Sequence, residues 1–91
     1  MVITVKLYGS LERFAERKTI EINIENKIIE LKTVLKKLIE LINKKEFKSV
    51  LESPGSCVIF VNGIEISALN GLNTLVKDKS EITIIPIVHG G

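Results

Sequence analysis

The sequence predicts an α+β fold, in which one main helix covers one face of a mixed sheet of four to five strands. Two segments near the N-terminus alternate between apolar and polar residues, as half-buried strands do. A central segment repeats aliphatic residues every three or four positions, which is the period of an amphipathic helix. The segment before the C-terminus is apolar at nearly every position, which is typical of a strand in the middle of a sheet.

The two N-terminal strands are predicted at Val2–Tyr8 and Thr19–Glu25, where β-branched residues recur at alternate positions. Gly9-Ser10 ends the first of them. The segment Leu11–Arg17 is too short to predict more than a turn, or a loop that carries Phe14 inward. We expect the two strands to form an antiparallel pair.

The main helix is predicted between Ile28 and Ile42, with Asn26 as its N-cap. Its buried stripe consists of seven aliphatic residues, namely Ile28, Leu31, Val34, Leu35, Leu38, Leu41 and Ile42. Lysines and glutamates lie on the outer side, where each exposed pair contributes only a few tenths of a kcal/mol. Because burial of one large aliphatic side chain contributes about 1.5–3 kcal/mol, packing of the stripe on the sheet must supply most of the stability.

The second half of the chain alternates short apolar runs with turn residues. Phe47–Glu52 is predicted as an irregular connection and Cys57–Val61 as a strand, and the Asn62-Gly63 that follows is the strongest hairpin signal in the sequence. Three further extended segments are predicted at Ile64–Ile66, Leu72–Val76 and Glu81–Ile87. This order of elements matches the β-grasp arrangement, in which the first and last strands are parallel neighbours in the middle of the sheet.

Length and composition indicate one small globular domain. The 91 residues have room for one core, which we assign to residues 1–87, followed by a flexible Gly-Gly tail at residues 88–91. The net charge of +2 comes from lysines interleaved with glutamates, so no basic stripe for nucleic acid is predicted. No apolar run approaches the roughly 20 residues of a membrane span, and the N-terminus lacks the features of a signal peptide.

Cys57 is the only cysteine, which excludes a disulfide within the chain and a cysteine-rich metal site. This composition fits a reducing cytoplasm, and the apolar run that follows Cys57 favours a buried structural thiol. His89 is the only histidine, and without a partner in the sequence it predicts neither a metal site nor a catalytic triad. The chain is not expected to be a complete enzyme, because it lacks a nucleophile–base pair and a cofactor motif.

The C-terminal stretch Glu81–Gly91 combines a buried strand with a bare end. Two terminal glycines bury nothing and cost the most backbone entropy to order, so they make sense if another protein holds this end. Pro86 has two interpretations that are compatible with each other. It ends hydrogen bonding on one edge of the strand, and it stiffens the base of the tail so that few residues need ordering on docking.

The most specific motifs of the sequence are Phe60–Gly63, Gly71–Asp78 and Glu81–Gly91. An Asn-Gly turn, a Lys-Asp approach to the last strand and a proline-containing strand that leads to Gly-Gly resemble, in this order, the ubiquitin-like sulfur carriers. That family includes the small subunit of molybdopterin synthase (MoaD), the thiamine sulfur carrier (ThiS) and the ubiquitin-related modifiers. Lys79-Ser80 departs from the Gly-Asp usual in the small synthase subunit, and His89 is more like the modifiers, so the subfamily is left open.

The resemblance implies activation and sulfur transfer at Gly91. An activating enzyme would adenylate the Gly91 carboxylate with ATP, and a persulfide sulfur would displace AMP to leave a thiocarboxylate. Gly90 would help to keep the tail narrow enough to enter the nucleotide site. The chain itself is expected to bind no cofactor, since the activating enzyme uses ATP in trans.

The acceptor of the sulfur has several alternatives. The large subunit of molybdopterin synthase is the favoured one, which would make this chain the small, sulfur-donating subunit in molybdenum cofactor biosynthesis. Thiamine synthesis, tRNA thiolation and conjugation to protein lysines through Gly91 are alternatives that share the same activation. A β-grasp binding module whose tail is incidental is a further alternative of a different class.

A partner-docking surface is predicted on the sheet face that a single helix leaves uncovered. Alternation along the strands places four apolar side chains there, namely Val58, Phe60, Ile85 and Ile87. In the family the matching sheet face meets partner proteins, and the tail residues Val88 and His89 are predicted to extend this contact. The alternative is that a loop covers the four side chains.

Overall fold

The computed structural model describes residues 1–87, which form seven strands, three α-helices and two 3₁₀ turns. The elements follow in the order β1 (Val2–Leu7), α1 (Gly9–Ala15), β2 (Thr19–Asn23), β3 (Ile28–Glu30), α2 (Leu31–Ile42), α3 (Lys45–Glu52), β4 (Cys57–Val61), β5 (Ile64–Glu65), β6 (Leu75–Lys77) and β7 (Glu81–Pro86). The 3₁₀ turns, Ile66–Ala68 and Gly71–Asn73, lie between β5 and β6. Within residues 1–87, no helix is both long and apolar enough to span a membrane.

Five strands form a mixed sheet in the order β2-β1-β7-β4-β5. β1 and β7 run parallel in its middle, with Val5 opposite Ile82. The other neighbours in this sheet are antiparallel, and β3 pairs with β6 in a separate two-stranded sheet. The predicted β-grasp arrangement, with the first and last strands adjacent and parallel, is confirmed.

One face of the mixed sheet carries the hydrophobic core. Alternate residues of the two central strands are fully buried there, namely Ile3, Val5, Leu7, Ile82 and Ile84. The three helices bury side chains in the same core, with Leu11 from α1, Leu38 from α2 and Phe47 from α3. The strand residues of the opposite parity therefore lie on a face that no helix of residues 1–87 covers.

The main helix begins later than the sequence predicts. Residues Ile28–Glu30 form β3, and α2 starts at Leu31. β3 pairs with β6, and the Leu31 amide donates a hydrogen bond to the Thr74 carbonyl at 2.8 Å, so partners far along the chain override the local helical period. The predicted N-cap at Asn26 is therefore wrong, because Glu30 holds the cap position and makes no side-chain capping bond.

The buried stripe of α2 is narrower than predicted. Its buried residues are Leu31, Val34, Leu35 and Leu38. Leu41, which the spacing predicts to be buried, is 51% exposed, and Ile42 is half-buried. The stripe loses contact with the core toward the C-terminal end of the helix.

Two short helices occupy segments that the sequence predicts as irregular. α1 takes most of Leu11–Arg17, and α3 includes all of Phe47–Glu52. Helices of seven and eight residues are not stable alone, because nucleation is unfavourable. Each is held by a fully buried side chain, Leu11 in α1 and Phe47 in α3. Tertiary packing therefore creates both helices.

Replacing Phe47 with alanine is expected to lower the free energy of unfolding by about 3–5 kcal/mol, because the fully buried ring leaves a cavity in the core. Urea denaturation measures the change. Lys48→Ala, at an exposed position of the same helix, is the matched control and should change the free energy by less than about 0.5 kcal/mol. A loss at Phe47 as small as that of the control would contradict its role as the anchor of α3.

The turn before β7 holds the start of β1 through Asp78, whose carboxylate accepts a hydrogen bond from the Val2 amide at 2.7 Å. This bond lowers the pKa of Asp78 below its ordinary value of 3.8. Because the folded-state pKa is the lower one, the bond contributes stability above pH 3.8 and loses that contribution as the pH falls through the folded-state pKa. We therefore expect the difference in unfolding free energy between wild type and Asp78→Ala, measured in urea at a series of pH values, to shrink below about pH 4. A difference that does not vary with pH would contradict this role.

Candidate functional site

The candidate site consists of an apolar patch on the uncovered sheet face and of the tail base beside it. The apolar patch is defined by four side chains, namely Val58, Phe60, Ile85 and Ile87. In the antiparallel pair of β4 and β7, Val58 lies opposite Ile85, and Phe60 follows two positions along β4. Since Ile59 and Ile84 are buried in the core, the side chains of Val58, Phe60 and Ile85 face away from the helices. Ile87 follows the end of β7.

The apolar patch is partly open to solvent. Ile85 is 39% and Ile87 42% exposed, whereas Val58 and Phe60 are half-buried. Ile87 and Val58 also line one shallow groove at the start of β4. The structure thus brings the predicted side chains together and leaves the two isoleucines uncovered by the described residues. Partner binding by the apolar patch stays a prediction.

A polar border lies beside the apolar patch on the β1 side. Lys6 Nζ and Glu81 Oε2 are 3.3 Å apart, and both side chains are well exposed. Thr83, which lies between Lys6 and Phe60 in the register of the sheet, continues this border. An exposed ion pair contributes little to stability. These polar side chains instead give the apolar patch a polar rim, and an apolar centre with a polar rim is the usual composition of a protein interface.

The two sides of β7 stop pairing at different residues. On the β1 side, pairing ends at Ile84. On the β4 side it continues to Pro86, and the Ile87 amide donates a hydrogen bond to the Ser56 carbonyl at 2.7 Å. Adjacent amides of a strand point to opposite sides, so the Pro86 nitrogen faces the side where β1 has already ended. Pro86 thus lies where its missing amide proton costs no sheet hydrogen bond. Pairing with β1 has already ended at Ile84, so the interpretation that Pro86 itself ends hydrogen bonding on this edge stays a prediction.

Ser56 joins the tail base to α3. Its hydroxyl donates one hydrogen bond, which the carbonyl oxygens of Val50 and Ser53 share. Its own carbonyl accepts the bond from Ile87, so the residue fixes the position of the last described amide relative to the helix. Sequence reasoning missed this residue, because a serine after a Pro-Gly turn gives no sign of its distant partners.

Four predicted site residues, namely Val88, His89, Gly90 and Gly91, lie outside the residues that the structure describes. Their roles in partner contact and in activation therefore stay predictions. Ile87 is the last residue that the structure describes, and its amide is held by the hydrogen bond to the Ser56 carbonyl. Four residues span at most about 13 Å when fully extended, which limits how far the Gly91 carboxylate can lie from the tail base.

Cys57 lies at the start of β4, is free and is half-buried. Burial raises the pKa of its thiol, against the opposite effect of a hydrogen bond with Ser56. A raised pKa leaves little thiolate at neutral pH, which fits a structural thiol better than a nucleophile. Among residues 1–87, no group of three or more His, Cys, Asp or Glu residues is placed to hold a metal ion.

The sequence model of the ThiS family matches residues 5–91, a range that includes the apolar patch, the tail base and both terminal glycines. No curated protein matches the chain significantly. The family match therefore rests on the chain from β1 to its last residue.

Several solved structures have the same fold. Small archaeal modifier protein 1 from Methanosarcina acetivorans is 29% identical, with a TM-score of 0.78 over 99% of this chain and 96% of that chain. The complex of subunits 1 and 2 of the molybdopterin-converting factor from Helicobacter pylori contains a chain that is 25% identical, with a TM-score of 0.60 over 100% of both chains. A chain of the BexX/CysO complex from Amycolatopsis orientalis is 21% identical, with a TM-score of 0.75 over 98% of this chain and 99% of that chain, and it shows the fold alone.

Proposed function

The chain belongs to the ThiS family and has the fold of the ubiquitin-like sulfur carriers, and from this premise we propose that it carries sulfur as a thiocarboxylate on Gly91. The observation that carries the proposal is the extent of the family match, which runs to residue 91 and so includes the Gly90-Gly91 end. The apolar patch next to the tail base supports it, because a carrier needs a docking surface close to the group that it presents.

Sulfur loading needs an activated carboxyl group, because a carboxylate is a poor electrophile. One oxygen of the Gly91 carboxylate attacks the α-phosphate of ATP, and pyrophosphate leaves. The terminal sulfur of a persulfide then attacks the carbonyl carbon, and AMP leaves with the oxygen that it gained. A thiol cleaves the remaining sulfur–sulfur bond to release the thiocarboxylate. Sulfide in place of the persulfide gives the thiocarboxylate directly.

In this scheme the described residues dock the carrier and present its tail. Ile85 and Ile87 are exposed side chains that a partner can bury. β7 runs from the apolar patch directly into the tail, so a partner that binds the patch meets the carboxylate within about 13 Å of Ile87. Burial raises the pKa of the Cys57 thiol, and the scheme gives this thiol no role. The activating enzyme supplies the nucleotide site.

The acceptor that we propose first is the large subunit of molybdopterin synthase. The Helicobacter pylori chain that occurs in a complex of two molybdopterin-converting factor subunits supports this choice, since it is 25% identical and covers this chain completely. The tail would then enter the active site of the large subunit and deliver its sulfur there.

A second candidate is a protein modifier that is joined through Gly91 to lysine side chains. The 29% identity to small archaeal modifier protein 1 favours it. Activation as an adenylate is common to both candidates. They differ in the nucleophile that attacks the activated carboxyl carbon, which is sulfur in the carrier and a lysine amine in the modifier.

Incubation with the activating enzyme from the same organism, ATP and sulfide tests the proposal. Intact mass spectrometry is expected to show the replacement of one oxygen by one sulfur, together with release of AMP and pyrophosphate. A chain without Gly91 is the matched control, since it keeps residues 1–87 and with them the core and the apolar patch. An unchanged mass of the full chain, with no pyrophosphate exchange, would contradict the proposal.

A second step distinguishes the acceptors. The loaded chain is mixed with the large synthase subunit and its pterin substrate. Loss of sulfur from the chain, with gain of sulfur by the pterin, is the result that we expect. Adducts of higher mass on protein lysines in cells, without transfer to the pterin, would favour the modifier instead.

A further inference from the structure

Gly9, the first residue of α1, lies against the tail base. Its φ of +54° is in the left-handed region, which residues with a Cβ rarely adopt. A Cβ added at Gly9 would lie 3.0 Å from Cγ and 3.7 Å from Cδ of Pro86. The proline ring therefore packs on the bare backbone of Gly9, and a side chain at this position requires the ring to shift by a few tenths of an ångström.

This contact is one of two that fix the end of β7, and the two lie on opposite sides of the strand. Pairing with β1 stops at Ile84, and beyond that point the Pro86 ring meets Gly9 where the chain turns from β1 into α1. On the opposite side, the Ile87 amide bonds to the Ser56 carbonyl at 2.7 Å. The last described residues are thus held from both sides, by van der Waals contact on one and by a hydrogen bond on the other.

We infer that Gly9 is a positioning residue, which acts through Pro86 to fix the direction in which the tail leaves the domain. The inference rests on the proposed function, because this direction matters only if the Gly91 carboxylate must enter a partner's site. A strand held from both sides up to Ile87 limits the rotatable backbone bonds between the docked apolar patch and the carboxylate to those that follow Ile87. Less conformational entropy is then lost when the tail enters the site, and productive geometry is reached more often.

Gly9→Ala is the variant that tests this inference. The new methyl group displaces the Pro86 ring and weakens the bond of the Ile87 amide, so we expect hydrogen exchange at that amide to become about tenfold faster. In ATP–pyrophosphate exchange we expect kcat to fall about tenfold and KM to change less than about twofold, since the apolar patch still docks. A loss of stability alone would lower the folded concentration and raise the apparent KM, leaving kcat unchanged.

Gly71→Ala is the matched control for backbone strain. Its φ of +56° nearly equals that of Gly9, and a Cβ there would meet nothing within 4 Å. This variant should keep the wild-type exchange rate of the Ile87 amide and the wild-type kcat. Pro86→Ala and the double variant Gly9→Ala/Pro86→Ala complete a double-mutant cycle. Once Cγ of Pro86 is absent, the methyl group at Gly9 should change kcat by less than about twofold.

Three results would overturn the inference. The first is a wild-type hydrogen-exchange rate of the Ile87 amide in Gly9→Ala, and the second is a loss of kcat in Gly71→Ala equal to that in Gly9→Ala. The third is a loss of kcat on adding Gly9→Ala to Pro86→Ala as large as the loss in the wild-type background. If Gly9→Ala does not fold, Pro86→Ala serves as the test, because it removes the same contact from the other side. The inference then requires that hydrogen exchange at the Ile87 amide becomes faster in Pro86→Ala, and it fails if the rate is unchanged. The amide measurement needs no partner protein. Absence of pyrophosphate exchange by wild type therefore contradicts the proposed function alone.

Discussion

Replacement of Gly91 by alanine is expected to lower the rate of ATP–pyrophosphate exchange by about 100-fold or more. The added methyl group lies beside the carbon that must become the acyl adenylate. A displacement of the reacting atoms by about 1 Å is enough for a loss of this size. Because residue 91 follows the described fold, the urea midpoint of the variant should equal that of wild type.

Competition separates a defect in activation from a defect in docking. The Gly91→Ala chain keeps the apolar patch, so it should still inhibit exchange by the wild-type chain when both are mixed with the activating enzyme. Exchange at the wild-type rate by Gly91→Ala would contradict the assignment of Gly91 as the reacting residue.

Replacement of Ile85 by aspartate is expected to raise the KM for this chain in the same reaction by about 30-fold, which corresponds to about 2 kcal/mol of docking energy. Ile85 is 39% exposed, so a carboxylate is solvated at this position in the free domain and the fold tolerates it. In the complex the charge would be buried without a partner, which is strongly unfavourable.

Leu41→Asp is the matched control for the Ile85 variant. Leu41 is 51% exposed and lies on α2, on the opposite side of the sheet from the apolar patch. The change in charge and size is nearly the same, and we expect the KM to stay within about twofold of wild type. Equal increases in KM for the two variants would show that the apolar patch is not the docking surface.

The mixed sheet could be predicted from local patterns, because edge and central strands differ in how polar and apolar residues alternate along the sequence. β2 alternates strictly, as expected of a strand with one solvated face. The apolar run Ile82–Ile87 indicates a strand in the middle of the sheet, and β7 does lie between β1 and β4, although one face of it is exposed at Glu81 and Ile85. The parallel pairing of first and last strands followed from the order of elements rather than from periodicity.

The elements that could not be predicted depend on contacts between distant segments. Ile28 fits the helical period of the residues after it, yet its backbone pairs with Lys77 of β6. α1 and α3 are too short to form alone, and a fully buried residue in each, Leu11 and Phe47, holds them in place. A local pattern carries no information about such partners.

The candidate site divides in the same way. Alternation along two strands was sufficient to group Val58, Phe60 and Ile85 on one face, because side-chain direction in a strand is a local property. Gly9 and Ser56 were missed as site residues, since their partners at the tail base lie far along the chain. A glycine directly after a strand is the one signal that pointed to Gly9, and it indicates only a turn.

Fragmentation mass spectrometry of the sulfur-loaded chain tests most directly whether Gly91 carries the sulfur. We expect one oxygen to be exchanged for one sulfur in fragments that contain Gly91, and no change in fragments that end before it. An extra sulfur atom on fragments that contain Cys57 would indicate a persulfide on that thiol. That result would contradict a carrier that works through its C-terminal carboxyl group.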